Sequence, residues 1–273
     1  MKNRKKIFSS LLATMMLFCS VSAAAASPNE EVFPNDSTVP EGFKVIKEYD
    51  TTDESNKVDM QVEGRSFNPE NEINTNNFST SQSINSTEEV DYDILTNETY
   101  IYRDLQNIET GEVLTQFKTD MVVEADPFHW TGGNKNSDNT VKLTITLYYH
   151  SQTKNRFIYN GLDKAYYRYD KGTNWNINNA IPSGTNSCQL TQIGPGIDTK
   201  AKKQISNCSQ NGGAIDFGKT FLATAPSSWI DVQDGGLASE VGIKVQAGFL
   251  NQSNNNKVFN YGWDLKIRGQ SPI

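Results

Sequence analysis

The sequence predicts an all-β fold, an antiparallel β-sandwich or jelly roll, with a barrel as the alternative way of closing the same strands. Three observations carry this expectation. Apolar and polar residues alternate with period two in several segments after Val90. Turn-forming Gly, Asn and Pro clusters separate those segments, and no long stretch repeats with the helical period of 3.6.

The elements follow in chain order. Between Val113 and Val123, residues Val113, Thr115, Phe117, Thr119, Met121 and Val123 share one face, and Leu114, Gln116, Lys118 and Asp120 the other. The segment from Val141 to His150 alternates more cleanly, with Val141, Leu143, Ile145, Leu147 and Tyr149 opposite Lys142, Thr144, Thr146, Tyr148 and His150. Such a strand should have one core face and one wet face. Near the C-terminus Val241, Ile243, Val245, Ala247 and Phe249 form a row, as do Phe259, Tyr261, Trp263, Leu265 and Ile267. The polar connector Asn251 to Asn256 makes these two an antiparallel hairpin. Shorter strands are expected at Glu98 to Leu105, Lys164 to Asp170, Cys188 to Ile193 and Ala214 to Leu222. One short helix is expected, over Asp198 to Ser206, with Asp198 or Thr199 as its N-cap.

Upstream of the strands the chain reads differently. Lys2, Arg4, Lys5 and Lys6 precede an apolar stretch from Ile7 to Val21 and the small-residue run Ala23 to Ala26. This is the pattern of a secretory signal peptide over 1–26, cut after Ala26, and the apolar stretch is too short and interrupted for a comfortable membrane span. The protein is therefore expected to be secreted and extracellular, with no membrane span after cleavage. Residues 27–89 carry 14 acidic and 4 basic side chains, and the tract Asn68 to Glu89 is almost without large apolar residues. It cannot bury enough surface to offset its ordering entropy, so 27–89 is read as an acidic, largely disordered segment or linker, with a strand or two possible between Gly42 and Val62. The domain itself is expected over 90–273.

Charge and cysteine content narrow the function classes. The chain has 25 basic and 32 acidic residues, net −7; loss of the four basic leader residues leaves 21 basic, net −11. That balance argues against a nucleic-acid partner, since phosphates are met by clustered Lys and Arg. Of three cysteines, Cys188 and Cys208 remain after cleavage, and in an exported protein two cysteines without nearby metal ligands are expected to pair.

No catalytic motif is present: there is no G-x-S-x-G and no H-E-x-x-H, and with only His129 and His150 a three-histidine metal site is impossible. His129, in Asp126-Pro127-Phe128-His129-Trp130, has the residue type of a general base but lacks a nucleophile beside it. Glu124, Asp126, Asp231, Asp234 and Glu240 are weak candidates for a glycosidase carboxylate pair. Asp138, and Asp231 with Asp234, offer oxygens to calcium without matching an EF-hand loop. No other cofactor is expected.

The aromatic content points more firmly. Tyr148, Tyr149, Tyr159, Tyr166, Tyr167, Tyr169 and Trp175 lie close together, and adjacent pairs such as Tyr148-Tyr149 cannot both enter one core. Tyr148, which shares a face with Lys142, Thr144 and Thr146, and Tyr166, which shares one with Lys164 and Arg168, are thus the expected exposed members. With Trp175, among Asn174 and Asn176, they are the candidate ligand contacts. The leading expectation is a secreted, non-catalytic protein that binds a polysaccharide or other cell-surface partner. The alternatives are a glycoside hydrolase and a secreted toxin or inhibitor masked by its acidic pro-segment.

Overall fold

The computed structural model describes residues 39–67, 92–125, 140–172, 180–208, 215–235, 239–251 and 257–270. Those residues form twelve strands in two sheets, every pairing antiparallel. The strands are β1 (Phe43–Glu48), β2 (Met60–Phe67), β3 (Tyr92–Asn107), β4 (Val113–Ala125), β5 (Val141–Lys154) and β6 (Phe157–Lys171). They continue as β7 (Ala180–Pro195), β8 (Ala201–Asn207), β9 (Thr220–Thr224), β10 (Val232–Gln233), β11 (Glu240–Asn251) and β12 (Lys257–Gln270). The larger sheet runs β1-β3-β4-β5-β6, and β6 carries β9 and β10 end to end on its far edge. The smaller runs β2-β12-β11-β7-β8.

The all-β expectation is met, and the alternating segments sit where the periodicity put them. Val241 to Phe249 pairs with Phe259 to Ile267 in the expected hairpin. The β5–β6 hairpin turns through Asn155 and Arg156, both at positive φ (53° and 69°), the backbone of a two-residue type I′ turn. Its Asn-Arg pair is not the Asn-Gly that flags such turns in a sequence.

One cluster of buried side chains draws on both sheets. Phe117 and Met121 of β4, Leu143, Ile145, Leu147 and Tyr149 of β5, and Tyr167 and Tyr169 of β6 join Leu190 of β7, Ile243, Val245 and Phe249 of β11, and Trp263 and Leu265 of β12. The Trp263 indole N–H points at Met121 Sδ, 3.1 Å away, and the Tyr169 and Phe249 rings meet edge to face at 6.5 Å. Each fully buried large side chain contributes about 1.5–3 kcal/mol. Cys188 and Cys208 form a disulfide across the β7–β8 hairpin, where the Cys208 N–H also donates to the Cys188 carbonyl.

Two expectations need correction. The first concerns the wet face of the central strands. Lys118, Thr144, Thr146 and Tyr148 are 4%, 2%, 1% and 2% exposed, so β4 and β5 are covered on both sides. Register shifts at Ile94/Thr96 and Ile101/Arg103 in β3, and at Asp163 of β6 opposite Tyr148/Tyr149, bend the ladder. Long side chains then close over the short threonines: the Tyr148 ring is met edge-on by Tyr102 at 5.5 Å and Tyr166 at 6.1 Å.

The second concerns Asp198 to Ser206, where β8 replaces the expected helix. Thr199 sits at φ 68°, and the Asp198 carboxylate accepts from the Lys200 N–H and the Lys202 ammonium, which makes a tight turn rather than a helix cap. Pairing of β8 with β7 overrides the helix propensity of Ala-Lys-Lys-Gln. Strands do form in the stretch from Gly42 onward, where the sequence allows one or two. β1 pairs with β3 and β2 with β12, so residues of the acidic segment supply an edge strand to each sheet. Residues 1–26, for which a signal peptide is expected, and the tract Asn68 to Glu89 lie outside the described residues.

Candidate functional site

The covered polar face of the larger sheet does not close completely. At the end where β5 and β6 turn, it opens into a cleft of about 590 Å³. Its walls hold the aromatic side chains Phe43, Tyr102, Tyr148 and Trp229, and polar groups from His150, Asp163, Asp231, Gln116, Gln152, Arg103 and Lys164. The chain segment before β1 and the connector between β9 and β10 form its rim through Val39, Pro40, Pro226 and Ser227.

At the centre stands His150. Strand alternation places it on the Tyr148 face, and its Nδ1 lies 2.7 Å from Asp163 Oδ1 while its Nε2 lies 3.2 Å from both oxygens of Asp231. Asp163 occupies the extra position of the β6 bulge, because Lys164 pairs with Tyr148 and Leu162 with Tyr149. The ring fits because Gly161 is its partner on β6. A Cβ there would strike the His150 ring and Asp231 Oδ1. Side-chain exposures of 18%, 20% and 12% for His150, Asp163 and Asp231 leave an edge of the cluster in reach of a molecule in the cleft.

The cluster belongs to a longer chain of hydrogen bonds. Arg103 Nε donates to Gln116 Oε1, Gln116 Nε2 donates to Asp163 Oδ2 at 2.8 Å, and Gln152 Nε2 donates to Asp231 Oδ2. Gln192 of β7 adds a tie between the sheets: its Oε1 accepts the Leu162 N–H at 2.7 Å, and its Nε2 donates to the Ile230 carbonyl at 2.8 Å. Gln204 of β8 holds Ile230 from the same side through two further bonds. The connector bearing Trp229 and Asp231 is thus fastened to the smaller sheet by Gln192 and Gln204 and to the larger by His150 and Gln152.

Electrostatics follow from this packing. Burial disfavours a charge on His150, but Asp163 and Asp231 outweigh it and hold the imidazolium well above the usual histidine range. Burial likewise opposes the Asp231 charge, yet His150 and Gln152 keep that carboxyl below its ordinary value. Lys164, with its ammonium 5.2 Å from the Tyr148 ring centre and 5.9 Å from that of Tyr166, is pushed down to about 8 by desolvation.

The sequence candidates are distributed unevenly over this geometry. Asp231 joins the His150 cluster. Glu124 is buried and accepts from the Thr140 hydroxyl, opposite Lys142 on β5, eight positions from His150. At roughly 3.3 Å per residue that separation is about 26 Å, beyond the 5–10 Å a glycosidase pair requires, so Glu124 and Asp231 cannot act together. Glu240 lies on the smaller sheet, bonded to the Thr191 hydroxyl and the Lys266 ammonium, and Asp234 accepts from the Gly235 N–H.

Tyr148, expected to be exposed, is buried and forms the cleft wall; Tyr166 is half-buried beside it. Trp175, Asp126, Asp138 and His129 lie outside the described residues. Among the described residues no group of three or more His, Cys, Asp or Glu side chains is arranged to hold a metal ion. Sequence reasoning missed Asp163 and Gly161, because only the bulge gives them their places. The sole signal was His150 alternating onto the Tyr148 face.

No family model, no curated protein and no solved structure matches the chain.

Proposed function

We propose that this is an exported, non-catalytic binding protein whose ligand, a carbohydrate of the cell surface or of a polysaccharide, lodges in the cleft on the larger sheet. The supporting observation is the composition of its walls: aromatic rings of Phe43, Tyr102 and Trp229 next to hydrogen-bonding side chains of Asp163, Asp231, Gln116 and Gln152. Sugar rings combine an apolar face with a rim of hydroxyls, and such a wall offers both a stacking surface and acceptors and donors. Export is read from the leader pattern, and the disulfide accords with it. The two sheets are read as a sandwich, because one buried cluster draws side chains from both.

The arrangement favours binding over hydrolysis. Asp163 and Asp231 are engaged by the same imidazole on its two opposite edges, so neither is poised as a free acid or nucleophile. The test is glycan-array binding with the mature chain, followed by Trp229→Ala and Gln152→Ala in the protein that gives a signal. Retention should fall at least tenfold in both with the melting temperature kept within a few degrees. Equal retention by the variants would remove the cleft from the reading.

A further inference from the structure

We infer that His150 is a proton-operated latch: while its ring carries two N–H groups it clamps the connector bearing Trp229 and Asp231 onto the larger sheet, and loss of one proton releases that clamp and loosens the cleft floor. The inference does not depend on which molecule the cleft binds.

The argument rests on donor counting. A carboxylate only accepts, and both ring nitrogens of His150 face one, Asp163 at 2.7 Å and Asp231 at 3.2 Å. Two donors are needed, and only the imidazolium has two. A neutral ring keeps one N–H and turns a lone pair toward the other carboxylate, exchanging attraction for repulsion. The Asp163 contact is the shorter, and Asp163 belongs to β6, locked in register with β5. The N–H therefore stays on Nδ1, and the Asp231 contact is the one lost.

Asp231 stands at a weak point of the larger sheet. β10, which follows it directly, pairs with β6 through two residues, Val232 with Asn160 and Gln233 with Tyr159, flanked by single backbone bonds from the Asp234 N–H to the Ile158 carbonyl and from the Ala225 N–H to the Asp163 carbonyl. On the other side Ile230 is bonded to Gln192 and Gln204, and the Ile197 N–H donates to the Asp231 carbonyl, all from the smaller sheet or the β7–β8 turn. Release at His150 leaves Gln152 Nε2 as the remaining side-chain tie of Asp231 to the larger sheet, and with the attachment to the smaller sheet intact it loosens the seam with β6.

Other charged groups face the ring. Lys164 on β6, Arg103 on β3 reaching through Gln116, and Glu41 and Glu112 at the cleft mouth all line the same space. Lys164 loses its charge in a pH range that overlaps a raised histidine, so a bulk titration would confuse the two. The chain has only two histidines, which allows the ring itself to be observed.

The experiment therefore reads the ring and the seam separately. In His129→Gln, which leaves a single imidazole, ¹⁵N NMR records the His150 protonation state from pH 5 to 10. Hydrogen–deuterium exchange of peptides covering 225–235, referenced to peptides of β11 in the same protein, records the seam. We expect an imidazolium with both nitrogens protonated at pH 6.5 and a midpoint above that. Protection of 225–235 should fall at least tenfold relative to β11 across the same midpoint, and do so in Lys164→Gln as well. A neutral ring at pH 6.5, protection that stays flat through the His150 titration, or a fall that disappears in Lys164→Gln would each overturn the latch.

Discussion

Replacing Gly161 by Ala tests the packing of the cluster without touching any of its polar atoms. Gly161 does not need its freedom of φ; it is required because β6 passes directly under the His150 ring, where a Cβ would overlap Nε2 and Cε1 and meet Asp231 Oδ1. The added methyl must push the ring off the sheet or push Asp231 away, and either breaks a charge-assisted hydrogen bond worth about 1.5–3 kcal/mol. Restricting the unfolded chain returns about 0.4–1 kcal/mol. The net expectation is a loss of about 0.5–2.6 kcal/mol, or roughly 1–10 °C in melting temperature for a chain of this size. Urea unfolding followed by tryptophan fluorescence at pH 6 measures it. The loss should shrink once the pH exceeds the His150 midpoint, where the wild-type bond is already broken. A variant as stable as wild type at pH 6 would mean that the ring has room the geometry denies it.

Three further expectations follow. The paired substitution Cys188→Ser with Cys208→Ser removes a cross-link over a sequence separation of 20 and should cost about 3 kcal/mol, read as a lower urea midpoint; reduction of the wild type should reproduce it. Gln192→Ala strands the Leu162 N–H and removes one tie to the Ile230 carbonyl, so a loss of about 2–4 kcal/mol is expected in the same unfolding assay, against well under 1 kcal/mol for the control Gln189→Ala, whose side-chain bond to Asn207 is exposed. The cluster also sets a pH window. His150 is raised in the folded state, so its contribution is complete below about pH 6.5 and disappears as pH rises through its folded value. Asp231 is lowered, so its contribution is present above about pH 3.9 and disappears as pH falls through its folded value. Stability measured from pH 2 to 10 should therefore plateau between those limits, and His150→Gln should flatten the alkaline limb; an unchanged limb in that variant would assign it elsewhere.

What the sequence determined by itself is the part that depends on local pattern. Alternation located β4, β5, β11 and β12 and their inward rows, because a two-residue period is a property of the strand whatever it packs against. The count of two cysteines without nearby metal ligands, in a chain read as exported, anticipated the Cys188–Cys208 pair. The tertiary structure decided what depends on neighbours. Whether the second face of β5 is wet is settled by the bend of the ladder and by Tyr102, Tyr166 and Lys164 leaning over it, none of which β5 encodes. Asp198 to Ser206 became a strand because β7 offered an edge to pair with, a gain that local propensity cannot register. The cluster itself joins residues 150, 163 and 231, and a single bulge in β6 aims Asp163 at a ring that Gly161 makes room for. A bulge shifts register by one residue, and that shift is fixed only when both strands are in place.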